Sequence, residues 1–319
     1  MKLSEDHNID REILLEAERL FYTYEGESTP ALNGLSLTIK RGKKIACMGA
    51  NGSGKSTFFL CCNGIYTPSS GSLYLSGRPV GRTKKDLLML RRKVGIVFQD
   101  PDRQLFAASV RQEISFGPLN LGFSEEETRR RVDAVMEELG ITAYAHKPVH
   151  ALSGGQKKLV SIADILVMEP ELIILDEPAA ALDPFYTEMI HQITRRITER
   201  GITVMMATHD VNYAYEWADE IILFDEGRIL RQGHPAGLFS DHALLKKTHL
   251  TPPMLLTVFH QLQSRNLIRE KSPAPRNMEE LKSRLTSPPD TQEQNGFPAS
   301  PPDTQEQNSC LAQQEELSI

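Results

Sequence analysis

Between residues 13 and 226, short hydrophobic runs alternate with stretches of helical spacing. Five of the runs are apolar throughout, which is typical of strands covered by helices on both faces. Two earlier runs, at residues 14–24 and 35–39, alternate apolar with polar positions and indicate antiparallel strands. The pattern predicts an α/β fold with a mostly parallel sheet and an antiparallel β flank. The continuous runs are residues 45–48, 94–98, 172–175, 203–207 and 221–224.

The pattern becomes helical over about residues 100–166. Ser124, followed by three glutamates, is a helix start with an acceptor cap and an acidic first turn. Apolar residues then recur at helical spacing until Gly140, which favours a helix end. We therefore expect a helical insertion inside a domain of residues 13–240, followed by a helical extension over residues 241–270.

Both ends of the chain are polar. Residues 1–12 are predicted to be loose. Residues 271–319 are rich in Pro, Ser, Gln and Glu, and the segment SPPDTQEQN occurs at 287–295 and again at 300–308. Because so few apolar residues cannot offset the cost of ordering the chain, we predict that residues 271–319 form a disordered tail.

Composition narrows the class of protein. Hydrophobic residues make up 40% of the chain and charged residues 24%, as in soluble globular proteins. The start of the sequence lacks the pattern of a signal peptide, so a cytoplasmic protein is expected. Of the net charge of −6, the predicted tail carries −4, and a nearly neutral body argues against nucleic acid as a partner. The four cysteines lack metal-ligand spacing and are interpreted as structural.

The run at residues 45–48 is followed by a glycine-rich loop and then by a second apolar run. In this strand–loop–helix order, glycines let backbone N–H groups turn inward around phosphates, and the helix N-terminus attracts them. Lys55 is expected to reach the β- and γ-phosphates of a nucleotide, and Ser56 to bind Mg²⁺. An ordinary glycine-rich turn is the alternative. The residues predicted to bind the nucleotide here are Gly49, Ala50, Asn51, Gly52, Ser53, Gly54, Lys55, Ser56 and Thr57.

Two carboxylates follow the run at residues 172–175. In parallel α/β sheets, ligands bind beyond the carboxyl ends of the strands, where Asp176 and Glu177 fall. Successive side chains of a strand point in opposite directions, so Asp176 is predicted to hold Mg²⁺ while Glu177 deprotonates the attacking water. The alternative is that Glu177 merely begins a turn before Pro178.

Three further side chains suit the same site. Gln99 ends the run at residues 94–98 and is predicted to contact the metal ion or the water. His209 follows the run at residues 203–207, so its imidazole is expected near the γ-phosphate, although a lone histidine is often structural. Tyr24 is predicted to stack on adenine, with a core tyrosine as the alternative.

A second segment also has the features of an anion site. Residues 152–156, Leu-Ser-Gly-Gly-Gln, combine a capping serine and two glycines with the start of an apolar-periodic helix. The loop at residues 49–57 already accounts for one nucleotide, so a second phosphate binder is most useful if it reaches a nucleotide held by another copy.

Taken in order, Tyr24, GANGSGKST, Gln99, LSGGQ, LIILDE and His209 resemble the ATP-binding-cassette (ABC) family over residues 13–240. The resemblance implies a P-loop ATPase core, ATP and Mg²⁺ as ligands, and two domains that close head to tail. It further implies that Asp183 bridges the two sites. Two departures affect communication between the sites: Leu159 stands where arginine is common, and three alanines occupy residues 179–181. The residues implied to act on the partner's ATP are Ser153, Gly154, Gly155 and Gln156.

Within that family, residues 98–106, 116–122 and 244–262 are similar to ATPases of energy-coupling-factor importers, particularly the cobalt branch. The resemblance implies membrane-embedded partner subunits and a peripheral position at the cytoplasmic face of the membrane. It also implies that Asp102 and Gln104 dock on those subunits. An ordinary capped surface helix is the alternative for this segment.

The predicted function is therefore ATP hydrolysis that energises an importer for cobalt, nickel or a vitamin. Alternatives are a soluble cassette ATPase of the translation or DNA-repair type, the ATPase of another ABC transporter, and a regulatory cassette that only binds nucleotide. Both a homodimer and a pair with a similar ATPase are compatible with the sequence.

Overall fold

The computed structural model describes residues 12–269 and 272–285. Its strands form two sheets. An antiparallel four-stranded sheet has the order β2-β1-β4-β5, and a six-stranded sheet has the order β10-β9-β3-β8-β7-β6. The strands are β1 Ile13–Tyr22, β2 Leu32–Lys40, β3 Lys44–Met48, β4 Ser70–Leu75, β5 Arg78–Pro79, β6 Val94–Val97, β7 Leu172–Asp176, β8 Thr203–Ala207, β9 Glu220–Asp225 and β10 Arg228–Gly233.

The five continuous apolar runs lie in β3, β6, β7, β8 and β9, which pair with their neighbours in parallel. Only the pairing of β9 with β10 is antiparallel in this sheet. The two alternating runs form β1 and β2, which pair antiparallel as predicted. The fold class expected from the hydrophobic pattern is therefore confirmed.

Helices cover both faces of the six-stranded sheet. Between β6 and β7 lie α3, α4 and α5 together with three short 3₁₀ helices, in agreement with the helical insertion expected at about residues 100–166. The helices are α1 Lys55–Cys62, α2 Lys84–Lys93, α3 Val110–Asn120, α4 Glu125–Glu138, α5 Gly154–Leu166, α6 Pro184–Glu199, α7 Val211–Trp217, α8 Pro235–Phe239, α9 His242–Thr248, α10 Met254–Ser264 and α11 Met278–Arg284; the 3₁₀ helices are Pro101–Arg103, Thr142–Tyr144 and Val149–Ala151.

The large sheet separates two apolar cores, because successive side chains of a strand point to opposite faces. In β3, Ala46 and Met48 face the core shared with the helical insertion and α6. Ile45 and Cys47 face the other core, which α1 and the antiparallel sheet complete. Cys47 is a buried, unpaired side chain, as are Cys61 and Cys62 on α1, in agreement with a structural role.

The chain after residue 271 departs from expectation. Residues 272–285 include α11 and pack on the body through Leu281, which is buried. Arg276 donates hydrogen bonds to the carbonyls of Tyr215, Glu216 and Ala218 around the end of α7. The prediction of a disordered tail is therefore wrong for residues 272–285, because polar contacts supply what the composition lacks. Residues 1–11 and 286–319, on which the remaining predictions for the ends fall, lie outside the described residues.

None of the helices in the described part of the chain is both long and apolar enough to cross a membrane.

Candidate active site

The carboxyl ends of four neighbouring parallel strands meet at one edge of the large sheet. The loop of residues 49–54 follows β3, Glu177 follows β7, and His209 follows β8. Gln99 lies just beyond β6, the strand next to β7. Parallel pairing thus gathers the predicted residues at the edge where α/β sheets bind ligands.

The phosphate loop depends on glycine at two of its turns. Gly49 has a φ of +147°, and a Cβ there would collide with the carbonyl oxygen of Phe224. Gly54 has a φ of +102°, and its Cβ would lie 2.7 Å from the carbonyl oxygen of Ala31. Gly54 also caps α1, so no side chain accepts hydrogen bonds from the first N–H groups of that helix. Those groups are the donors that bind phosphate at helix N-termini.

Lys55 is held inside this loop. Its side chain is only 7% exposed, and Nζ donates to the carbonyls of Gly49, at 2.8 Å, and Ala50, at 3.0 Å. Burial lowers the pKa of Lys55, while the nearby carboxylates of Glu177 and Asp176 oppose that effect. The ammonium is therefore fixed at the centre of the loop, within electrostatic reach of the carboxylates at the end of β7, the next strand but one.

Asp176 and Ser56 supply oxygen ligands beside the loop. Asp176 is 9% exposed; burial raises its pKa, and a hydrogen bond from the Ser56 hydroxyl opposes the rise. In the described residues, no group of three or more His, Cys, Asp or Glu side chains could hold a metal ion. Mg²⁺ is commonly bound by one or two carboxylates together with substrate phosphates, so this small oxygen set fits a nucleotide-bound Mg²⁺.

Glu177 lies between two of the other predicted residues. Its Oε1 lies 3.0 Å from Nε2 of His209, and its Oε2 accepts a hydrogen bond of 3.3 Å from Nε2 of Gln99. Its φ of +45° is unusual for a residue other than glycine. Strained backbone of this kind is found where the surrounding structure fixes a functional side chain. The carboxylate is thus oriented from both sides next to Asp176.

Tyr24 lies beyond the end of β1, and its ring is 38% exposed, so the alternative of a core tyrosine is not supported. Its hydroxyl forms a 2.9 Å hydrogen bond with Oγ1 of Thr57, on α1. Its ring packs edge-to-face with the rings of Tyr22 and Tyr66. These contacts hold an exposed aromatic ring beside the phosphate loop.

The second glycine-rich segment forms the start of α5. Ser153 caps the helix: its Oγ accepts from the N–H of Gln156, and Oε1 of Gln156 accepts from the N–H of Ser153. A Cβ on Gly155 would collide with the ring of Tyr186, on α6, which gives this glycine a packing role as well. Asp183 caps α6 by accepting a 2.9 Å bond from the N–H of Tyr186. The two segments thus lie against one another through Gly155 and Tyr186.

Comparison with known proteins adds to this geometry. Residues 32–180 match the family model described as "ABC transporter". The Energy-coupling factor transporter ATP-binding protein EcfA of Methanocaldococcus jannaschii is 39% identical over 255 residues, which are 80% of this chain and 91% of that protein. The chain belongs to the ABC family of ATPases.

Other relatives of this ABC ATPase agree. EcfA2 of Methanospirillum hungatei, also described as an Energy-coupling factor transporter ATP-binding protein, is 43% identical over 256 residues, and the chain spans only 64% of its length. A solved structure of cbiO1 from Clostridium perfringens, described as part of the ABC transporter complex cbiONQ, has a TM-score of 0.66 and 42% identity. The match covers 79% of this chain and 99% of that one. A dimeric ATP-binding cassette bound to ADP and Pi is 28% identical over 70% of this chain and 99% of that chain, with a TM-score of 0.64.

The segment predicted to dock on partners divides into two parts in this ABC ATPase. The Asp102 side chain is 66% exposed, and its Oδ1 lies 2.6 Å from Nζ of Lys157. Gln104 instead turns inward: its Oε1 accepts from the N–H of Phe98, and its Nε2 donates to the carbonyl of Ser161. Docking by the Gln104 side chain is therefore not supported, because its amide already anchors the segment to α5.

A groove of about 690 Å³ lies next to this segment, between the α2–β6 region and helices α3 and α5. It is separate from the strand edge that carries Glu177. Exposed apolar side chains line it, among them Phe106, which is 66% exposed, and Phe116. Glu113 and Asp164 also line it. Burial raises the pKa of Asp164, and its Oδ1 has no hydrogen-bond partner among the described residues.

Lys158 of this ABC ATPase belongs to none of the motifs that predict the site. The side chain is 1% exposed, and Nζ donates to the carbonyls of Phe98, at 2.8 Å, and Gln99, at 2.6 Å. Burial lowers the pKa of Lys158 to about 8. The signal in the sequence is its spacing, because Lys158 lies one turn before Ile162 on α5, and Ile162 is buried.

Proposed function

We propose that this chain hydrolyses ATP and uses the reaction to energise an energy-coupling-factor importer. The observation that carries the hydrolytic part is the position of Glu177, held between His209 and Gln99 beside Asp176. The importer part is supported by relatives described as energy-coupling factor transporter ATP-binding proteins. The neighbour from a cbiONQ complex favours cobalt as the cargo, with nickel or a vitamin as the other candidates.

In this proposal the phosphate loop binds and orients the β- and γ-phosphates through its backbone N–H groups and Lys55. Ser56 and Asp176 hold Mg²⁺, with Gln99 as a further ligand. The ion would neutralise charge that develops on the phosphates. Tyr24 stacks on the adenine ring.

Glu177 acts as the general base that takes the proton of the attacking water. His209 fixes one carboxylate oxygen and lies at the strand end expected near the γ-phosphate. Gln99 fixes the other oxygen, so any displacement of Gln99 changes the aim of the base. Orientation of the base is important because catalysis of this kind depends largely on positioning.

Two chains pair head to tail, and each site combines the phosphate loop of one chain with the serine-capped start of α5 from the other. Ser153 and Gly154 are exposed, so a second chain can reach them, and the buried Gly155 would support them from below by its close packing on Tyr186. Asp183, also exposed, lies close by on the start of α6 and bridges the two sites. The dimeric cassette bound to ADP and Pi supports such a pairing. The partner chain is a second copy or a similar ATPase.

The groove next to residues 100–106 is the proposed contact with the membrane-embedded subunits. Its exposed phenylalanines would cover the apolar face of a docking helix. Asp164, whose Oδ1 has no hydrogen-bond partner among the described residues, would pair with a hydrogen-bonding group on that helix. Asp102, which is exposed on the nearby 3₁₀ helix, would offer a further carboxylate to the same partner.

The test is to produce the chain together with candidate membrane subunits and to measure co-purification, substrate uptake and the ATPase rate of the isolated chain. Phe106→Ala and Asp102→Ala should reduce co-purification and uptake while leaving the ATPase rate unchanged. Arg103→Ala, on the same segment and highly exposed, is the matched control. Normal assembly and uptake by both variants would place the docking surface elsewhere.

A further inference from the structure

Lys158 connects two parts of the chain that serve different nucleotide sites in the proposed dimer. It lies one turn into α5, the helix that Ser153 caps and that begins at Gly154. Its ammonium donates hydrogen bonds to the carbonyls of Phe98 and Gln99, the first two residues after β6. The helix that reaches the partner's ATP is thus bonded directly to the residue that orients Glu177 in its own site.

Gln104 forms a second connection between the same two parts. Its Oε1 accepts from the N–H of Phe98, and its Nε2 donates to the carbonyl of Ser161, on α5. The backbone on either side of Gln99 is therefore attached to α5 through two side chains. Because both connections join α5 to the few residues just beyond β6, we expect a movement of α5 to displace Gln99 with it.

Stability alone does not explain a buried lysine in this position. Transfer of an ammonium out of water is costly, and apolar residues of similar volume often stabilise a protein as well or better. None of the ion pairs among the described residues includes Lys158, so two carbonyl dipoles are its direct partners. Lys158 thus adds little to the stability of the folded chain, but it fixes the distance between α5 and the backbone of Gln99.

We propose that Lys158 is a positioning residue that makes the start of α5 and Gln99 move as one unit. When Ser153 contacts the ATP bound by the partner chain, Gln99 shifts in the site of its own chain. The two ATP sites are thus coupled through each chain. This inference rests on the proposed pairing of Ser153 with the partner's ATP. It also gives a route for communication between the sites where the sequence carries Leu159 instead of the arginine common in the family.

The test compares Lys158→Met, which keeps the length and the apolar stem but removes the donors, with Lys158→Gln, whose amide can still donate to a carbonyl. In steady-state assays, Lys158→Met should lower kcat about tenfold or more, because a small displacement of an orienting group is costly. The KM for ATP should change little, and the Hill coefficient for ATP should fall towards one. Lys158→Gln should recover part of both kcat and the Hill coefficient. An effect on melting temperature without these kinetic changes would show a structural role only and would overturn the proposal.

A second measurement does not depend on hydrolysis or transport. In a Glu177→Gln background, ATP should protect from hydrogen exchange both the segment at residues 153–158 and the segment at residues 98–104. Adding Lys158→Met should leave the first protection in place and remove the second. If ATP fails to protect residues 153–158 in the parent, the pairing proposed above is wrong and this inference falls with it. If the parent responds and Lys158→Met still protects both segments, the inference alone is wrong.

Discussion

Helices α1 and α5 both begin with a glycine-rich segment, but they satisfy their first N–H groups differently. At α1 the cap is Gly54, so no side chain accepts from the first turn. At α5 the side chains of Ser153 and Gln156 bond reciprocally with each other's backbone N–H groups. The first helix therefore keeps its donors available to an anion, while the second has one of them occupied by its own side chain.

This difference assigns different tasks to the two helix starts. The start of α1 lies beside Lys55 and can hold phosphates by itself. At α5, the Ser153 hydroxyl accepts from the N–H of Gln156 with a lone pair, so its proton stays available for donation. That segment can add a bond to a nucleotide held elsewhere, but it offers less with which to bind one alone. The contrast fits a composite site built from two chains.

The largest expected effect concerns Glu177, which lies in the same site as the phosphate loop before α1. Glu177→Gln should lower the rate of ATP hydrolysis by about 10²–10⁴-fold, the usual contribution of a general base. ATP binding should persist, because the phosphate loop is unchanged. ATP should then hold the variant as a dimer, since a ligand bound by the closed form stabilises it by mass action. The measurements are the steady-state ATPase rate and the molar mass in the presence of ATP.

Glu188→Gln is the control for this variant, because Glu188 is an exposed carboxylate on α6. It should hydrolyse ATP at the rate of the unmodified chain. If Glu177→Gln hydrolyses ATP at a near-normal rate, Glu177 is not part of the mechanism, and the site beside the phosphate loop has no assigned base.

The C-terminal end of α7 differs from both helix starts, because a residue distant in the sequence donates hydrogen bonds to its carbonyls. The carbonyls of Tyr215 and Glu216, in α7, and of Ala218 beyond it accept hydrogen bonds from Arg276. The hydroxyl of Tyr215 in turn donates to the carbonyl of Pro275. Since α7 begins directly after His209 and Asp210, this clamp, formed by residues 272–285, holds the far end of the helix that starts at the active site.

A chain that ends at Lys271 should be less stable by about 2–4 kcal/mol, because it loses the buried Leu281 and the hydrogen bonds of the partly buried Arg276 guanidinium. A chain that ends at Leu285 retains the whole clamp and should unfold at the temperature of the full chain. Thermal unfolding of the three chains gives the comparison. Equal melting temperatures for all three would show that the clamp contributes nothing to stability.

The clamp also shows where prediction from sequence ends. The strand edge was predictable because each part is local: an apolar strand, then a loop or a carboxylate at its end, as at Asp176 and His209. Parallel pairing then brings those ends together. Arg276 and its acceptor Tyr215 are 61 positions apart, and nothing in their local sequence links them. Composition alone therefore predicted disorder for a segment that packs.

The same limit applies inside the candidate site. The motif at residues 152–156 was visible, but not the attachment of Lys158 to the carbonyl of Gln99, which bridges 59 positions. The resemblance to importer ATPases implies that Gln104 docks on a partner, whereas its amide is bonded to the carbonyl of Ser161. Side-chain direction in a short irregular segment depends on its tertiary neighbours, so the sequence identified the segment but not the orientation of each side chain.

The smallest expected effect concerns the start of α5. Ser153→Ala removes a helix cap and also the hydroxyl proposed to reach the partner's ATP. Ser124→Ala removes a cap of the same kind from α4, away from the site, where Ser124 accepts from the N–H of Glu127. Both variants should lose about 1 kcal/mol of stability, the usual contribution of a serine cap. Only Ser153→Ala should also lower the ATPase rate, by roughly tenfold for a lost hydrogen bond of about 1.4 kcal/mol.

Mixing chains then decides whether Ser153 acts on its own nucleotide or on its partner's. Lys55→Ala disables the phosphate loop but leaves α5 intact, whereas Ser153→Ala does the reverse. A mixed dimer contains one site that joins an intact phosphate loop to an intact α5, provided that the two come from different chains. The mixture should therefore hydrolyse ATP faster than either variant alone. If Ser153 serves its own chain, every site in the mixture stays defective, and the rate of the mixture will be no more than the average of the two separate rates.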